Sequence, residues 1–184
     1  MKLTKNTKIL VLLAVILSGW TLGYEIINNS HKNITQTEQN QVFQFQETDI
    51  QKIAIVKPNL TLELVQIDSS NSWQIKQPDN NIPANNGRVT FLTNLLINGE
   101  QKRSFWVSPQ KLAQYGLQPA KTKIIVSLHN NQTYQLALGK PGIEENTIYA
   151  QIISPLQNQS KVEVLLISQN WQYAVDPELK AWKL

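Results

Sequence analysis

Cysteine is absent from the 184 residues, which removes disulfides, thiolate metal sites and lipid attachment through a lipobox. Histidine occurs twice, at His31 and His129, with no second histidine or carboxylate at a ligand spacing, so metal binding has no donor set to start from. Glycine is scarce too. Its one cluster, Gly139-Lys140-Pro141-Gly142, contains a proline and runs into a strand where a phosphate-binding helix would have to begin, so it reads as a turn. There is no G-x-S-x-G elbow, and Ser108 and Ser154, each before a proline, read as cap or turn residues. The thirteen acids never gather: Glu47 and Asp49 flank a strand start, Glu144 and Glu145 share a loop, and Asp176 stands before Pro177. No spacing demands an acid and base pair, which argues against an enzyme. The net charge of +4 rests partly on Lys2, Lys5 and Lys8, and the other cations are scattered among acids, leaving no basic stripe for nucleic acid.

Long apolar runs are also missing, with one exception: Lys8 to Ile27, KILVLLAVILSGWTLGYEII. From Ile9 to Tyr24 it is uncharged, and about sixteen residues at ~1.5 Å each span roughly 24 Å, short of a ~30 Å hydrocarbon core. Ile26 and Ile27 extend it, and Trp20 and Tyr24 are aromatics of the kind that settle at a headgroup boundary. The expected organisation is a basic cytoplasmic end (residues 1–8), a signal-anchor (9–27), a polar linker (28–41) and an extracytoplasmic domain (42–184). Lys8, Ile9, Leu13, Leu17, Trp20 and Tyr24 carry the anchor, with the lipid bilayer as its partner. A cleaved export signal shares this layout and differs only at its exit, where Thr21-Leu22-Gly23 is a poor peptidase site between bulky Trp20 and Tyr24.

Beyond the linker the apolar period becomes two. Ile50–Val56, Leu60–Ile67 and Trp73–Lys76 read as antiparallel strands, with Ile53 and Ile55 on one face of the first, Leu60, Leu62 and Leu64 on one side of the second, and Trp73 and Ile75 inward in the third. Val89, Leu92 and Leu96, with Phe91 and Leu95 beside them, predict an amphipathic helix over Ala84–Ile97 that covers one sheet face. Lys102–Val107 is a strand, and Ser108 caps a short helix over Pro109–Tyr115. Lys123–Leu128 and Thr133–Leu138 form a hairpin around His129-Asn130-Asn131; Ile148–Ile153 and Lys161–Ile167 are strands, and Gln169–Val175 is a helix. The expected fold class is α+β: antiparallel β-meanders with covering helices, arranged as two pseudo-repeated β-rich units each followed by a helix, beyond one amino-terminal transmembrane helix.

Asparagine and glutamine make up about a fifth of the chain, supplying a neutral, hydrogen-bonding surface. The four tryptophans beyond the apolar run, Trp73, Trp106, Trp171 and Trp182, read as core and helix-packing groups, with a ligand-contacting role as the alternative. Trp106, Tyr134 and Trp182 are the candidate interaction residues. No catalytic, cofactor-binding or metal-binding residue is assigned.

WQIKQP at Trp73–Pro78, YGLQP at Tyr115–Pro119, then IIVSL, the turn, YQLALG and the tyrosine-bearing Ile148-Tyr149-Ala150 occur in an order that resembles the family named domain of unknown function 4340. The resemblance spans about residues 43 to 184. It implies a bacterial protein, cyanobacterial ones included, with one amino-terminal span and the domain outside the cytoplasm; related domains occur in auxiliary proteins of gliding-type transport systems. It supplies no catalytic residues. The chain departs from the family at Asn85 and Asn86, where an aspartate is common, and at Asn130-Asn131 in place of aspartate-glycine. The expected function is a non-enzymatic, membrane-anchored accessory or scaffold protein whose domain, in the periplasm or thylakoid lumen, binds a membrane protein complex. The alternative is an exported soluble binder of a small ligand or envelope polymer.

Overall fold

Among the described residues nine runs become strands: β1 (Ile50–Lys57), β2 (Leu60–Ile67), β3 (Ser72–Gln77), β4 (Ile82–Pro83), β5 (Gln101–Val107), β6 (Thr122–Leu128), β7 (Thr133–Pro141), β8 (Thr147–Ile152) and β9 (Val162–Ser168). All join one sheet in the order β4-β3-β2-β1-β6-β7-β8-β9-β5, with every neighbouring pair antiparallel. Two helices, α1 (Asn86–Asn98) and α2 (Asn170–Val175), and three 3-10 segments, η1 (Glu47–Asp49), η2 (Pro109–Tyr115) and η3 (Leu179–Trp182), complete the described elements. The computed structural model describes residues 40–67, 72–79, 81–153 and 160–184. The expected anchor residues Lys8, Ile9, Leu13, Leu17, Trp20 and Tyr24 lie outside them; among the described residues no helix is long and apolar enough to cross a membrane.

The sheet is two four-stranded meanders, β1 to β4 and β6 to β9, joined back to back where β1 pairs with β6 around Ala54↔Ile125. Each meander leads into a helix, and α1 and α2 touch. Beyond each helix the chain crosses to the other meander. After α1 it enters β5, which pairs with β9, with Phe105 opposite Val164 and Val107 opposite Val162. After α2 the carboxyl terminus reaches β4: Lys183 bridges Ala84, Asn85 donates its backbone N–H to the Trp182 carbonyl at 2.8 Å, and Leu184 donates to the Pro83 carbonyl at 3.2 Å.

Strand alternation sends Ile53, Ile55, Leu62, Leu64, Ile75, Ile124 and Val126 to one face, where α1, α2 and the segment Val42 to Phe45 cover them. Val89, Leu92 and Leu96 form the buried stripe of α1, as their spacing predicts; Phe91, expected beside that stripe, is 42% exposed. The helix begins after Asn85, whose side-chain oxygen accepts from the Arg88 N–H at 3.3 Å, satisfying one of the donors a helix start leaves open. Thr93, 1% exposed, donates its hydroxyl to the Thr90 carbonyl at 3.1 Å. Phe43, Phe45, Tyr134 and Trp171 form an aromatic group with centroids 5.3–6.4 Å apart.

The other face is covered at the β7-β8-β9-β5 end, where η2 lies over Ala137, Tyr149, Val162, Val164 and Leu166. There the glycine cluster that reads as a turn proves different: Gly139, Lys140 and Pro141 belong to β7. A Cβ on Gly139 would stand 2.3 Å from the Tyr115 carbonyl oxygen, so only glycine lets β7 pass this close beneath the end of η2. Gly116, at φ 73°, caps η2 in the left-handed region that glycine enters freely. Phe105, Tyr115 and Tyr149 pack edge to face at 4.9–6.2 Å and pin η2 to the sheet.

Candidate functional site

The described acidic side chains do not converge, and several are engaged separately. Glu47 accepts from the Thr93 hydroxyl at 3.4 Å, Asp49 from the Gln46 N–H at 2.9 Å, and Glu63 stands 3.5 Å from Lys52 Nζ. Asp176 accepts from the Gln172 side chain, and Asp79 lies 2.8 Å from Lys183 Nζ. Glu144, Glu145 and His129 are exposed on turns. Asp68 and Ser154 lie outside the described residues. Among the described residues no group of three His, Cys, Asp or Glu side chains is placed to hold a metal. Ser108 occupies the cap position of η2, but its hydroxyl makes no cap bond; the Lys111 N–H is already met by the Ser108 carbonyl at 2.9 Å, and Pro109 has no N–H to satisfy.

The three candidate interaction residues are not brought together. Trp182 is 1% exposed and belongs to the core, because η3 folds it under the sheet where the carboxyl terminus docks on β4; its ring offers no surface to a partner. Tyr134 is half-buried, tilted against Phe45 at 5.3 Å, with its hydroxyl 3.4 Å from Gln132 Oε1. Trp106 is 58% exposed. It lies on β5, the last strand of the sheet, directly opposite Glu163 of β9, and alternation puts it on the helix-bearing face while Phe105 points to the other. No described strand pairs with the outer edge of β5, which also carries exposed Lys102 and Arg103.

A second feature has no counterpart in the sequence pattern. Between η2 and the ends of β8 and β9 is a cavity of about 260 Å³. It is lined by Pro109, Leu112, Leu117 and the exposed Gln118 from η2 and the residues after it, by Ile153 just beyond β8, and by Val162 of β9. Gln151, 4% exposed, faces into it from β8, paired in register with Ala137. Glutamine in a predicted strand carries no sign of burial; the signal is in the neighbouring pattern, because β8 is buried at five successive positions and so has no solvent face.

No protein-family model, no curated protein and no solved structure matches the chain.

Proposed function

We propose that the chain is a non-enzymatic, membrane-anchored accessory subunit, of the kind found in the domain of unknown function 4340 family, whose extracytoplasmic domain docks a membrane protein partner through the free edge of β5. The reading takes residues 9–27 as an uncleaved anchor and the two meanders as repeats of one unit. The observation that carries it is Trp106, a large aromatic 58% exposed on an edge strand whose outer side pairs with no described strand. An edge strand presents a row of backbone donors and acceptors and accepts an added strand unless something blunts it. Lys102 and Arg103 favour an extended partner segment bearing acidic side chains, and an exposed tryptophan is the residue type most often dominant in binding.

The test is site-specific photo-crosslinking from position 106 in native membranes, paired with affinity purification after gentle solubilisation. A crosslinked species of defined added mass is expected. Trp106→Ala should weaken recovery of that partner by roughly thirtyfold, the range of a hot-spot residue. Recovery of the protein alone, as a monomer with no crosslink, would sink the reading. A mature native chain beginning at Tyr24 would instead favour the exported soluble binder.

A further inference from the structure

We infer that the sheet face on the η2 side is a lipid-contact surface, which lays the domain against a bilayer of anionic headgroups. Strand alternation and register gather on this face cations that are spread through the sequence. Lys123 lies opposite Ala137, and Lys52 shares its face because the neighbouring Ile53 and Ile124 point the other way, into the helix-covered core. Lys111 is exposed on η2, Lys121 is exposed between η2 and β6, and the Lys140 stem lies against Gly116, the cap of η2. Arg103, opposite Leu166, adds a sixth cation at the β5 margin. Among the described strand residues of this face the one carboxylate is Glu63, 3.5 Å from Lys52 Nζ; Glu144 and Glu145 stand at the end of the sheet, in the loop after β7. The helix-bearing face is mixed instead, with Glu47, Glu163 and Asp176 among Lys57, Arg88 and Lys180. A solvated face needs polar side chains of either sign, so solvation alone leaves this segregation of charge unexplained.

The composition of the face selects the partner. Protein interfaces are built on buried aromatic and apolar anchors and are depleted in lysine. Here the exposed large hydrophobics lie elsewhere: Phe91 on α1, Tyr173 on α2, Trp106 on the helix-bearing side of β5, Ile143 in the loop after β7 and Leu184 at the carboxyl terminus. Phe105, Tyr115 and Tyr149 pack on one another, which leaves no stacking platform for nucleic-acid bases. Attraction to a plane of anionic headgroups needs neither anchor nor stacking. It needs cations spread over a broad surface, and these reach from β1 across the sheet to β5. Because η2 covers only the β7-β8-β9-β5 end, the face is open over β1, β2 and β6. The occupant is also near: residues 28–41, read as the linker, span at most roughly 50 Å, so a domain on the proposed anchor stays beside the bilayer. In that respect the inference rests on the anchored reading, while the face it uses is the one opposite Trp106.

The absence of cysteine lets a single introduced one carry a fluorophore. Ser127→Cys places it on the η2 face, opposite Lys52, and Thr90→Cys places it on the exposed side of α1. The full chain is floated with vesicles of phosphatidylcholine alone, or with about one-third phosphatidylglycerol, in which some headgroups carry a quencher. On the anionic vesicles, quenching at position 127 should exceed that at position 90 by roughly threefold or more. The difference should vanish on phosphatidylcholine alone and at about 0.5 M salt, where the screening length falls to a few ångströms. Replacing Lys111, Lys121 and Lys123 together by glutamine should remove it with an unchanged melting temperature, and the pair Arg88→Gln and Lys180→Gln should leave it in place. Equal quenching at the two positions on anionic vesicles, a difference that ignores salt, or an unaffected lysine variant overturns the inference. So does a lysine variant that keeps its lipid contact but loses the partner crosslinked from position 106, which would make the face a contact for an acidic protein. A chain that does not float with phosphatidylcholine alone lacks the anchor and counts against the docking reading; the charge dependence of quenching at position 127 still decides this one.

Discussion

Lys57 closes β1 with its ammonium group 3.1 Å from the Asp176 carbonyl oxygen. Burial pushes its pKa below the ordinary lysine value of 10.5, and the Asp176 carboxylate opposes that shift only in part. The folded chain therefore releases this proton at lower pH than the unfolded chain, and over the interval just below 10.5 the unfolded state binds more protons. Stability from this residue rises with pH through that interval. In denaturant titrations, the wild type should gain on Lys57→Met between neutrality and about pH 10; parallel curves for the two would refute the assignment. At Gly139 the constraint is steric. A methyl group 2.3 Å from the Tyr115 carbonyl oxygen forces backbone to move, so Gly139→Ala should cost about 1–3 kcal/mol in thermal unfolding. At this scale legibility is uneven. Period two predicts that Trp73 and Ile75 point inward, and they are buried. Trp182 reads both as a core group and as a candidate interaction residue, and it is buried; which of the two holds depends on where the terminus docks, and no local pattern encodes that.

Among elements, α1 shows how far local chemistry reaches. The spacing of Val89, Leu92 and Leu96 announces both the helix and its buried side, and Asn85 at the cap does for the Arg88 N–H what an aspartate would do. Asn85→Ala should cost about 1 kcal/mol, read from the denaturation midpoint, and Asn85→Asp should leave stability close to wild type. A wild-type midpoint for the alanine variant would mean that the cap bond contributes nothing. The β6-β7 hairpin is similar: Leu128 donates to the Gln132 carbonyl, and Asn131 at φ 67° takes the left-handed position that asparagine tolerates better than most residues. Elements that depend on partners are illegible. β4 is two residues long and contains a proline, too little to show a period, and it exists because β3 and the carboxyl terminus flank it. The strand character of Gly139 to Pro141 is hidden for the same reason, since glycine and proline signal a turn unless η2 packs on top. The cavity facing Gln151 is equally hidden, being formed by η2 and two strand ends far apart in sequence.

For the molecule as a whole, the order of strands decides behaviour that no single element predicts. Alternating strands and helices announce meanders with covering helices, but not that β1 pairs with β6 to make one sheet, nor that the segment after each helix closes the opposite meander. This crossing couples distant ends. β9 is flanked by β8 and β5, and the carboxyl terminus pairs with β4 at the far side of the sheet. Removing residues 182–184 deletes the buried Trp182 ring and the pairing with Pro83, Ala84 and Asn85, a loss of about 3–5 kcal/mol from the ring alone. If the meanders were independent, only β3, β4 and α1 would open more often. With closing segments exchanged across a continuous sheet, unfolding is shared. Hydrogen exchange of β9 amides should therefore accelerate in the truncated chain along with those of β3, although β9 does not pair with the deleted residues. Protection in β9 that stays at the wild-type level while β3 is lost would show two separable units.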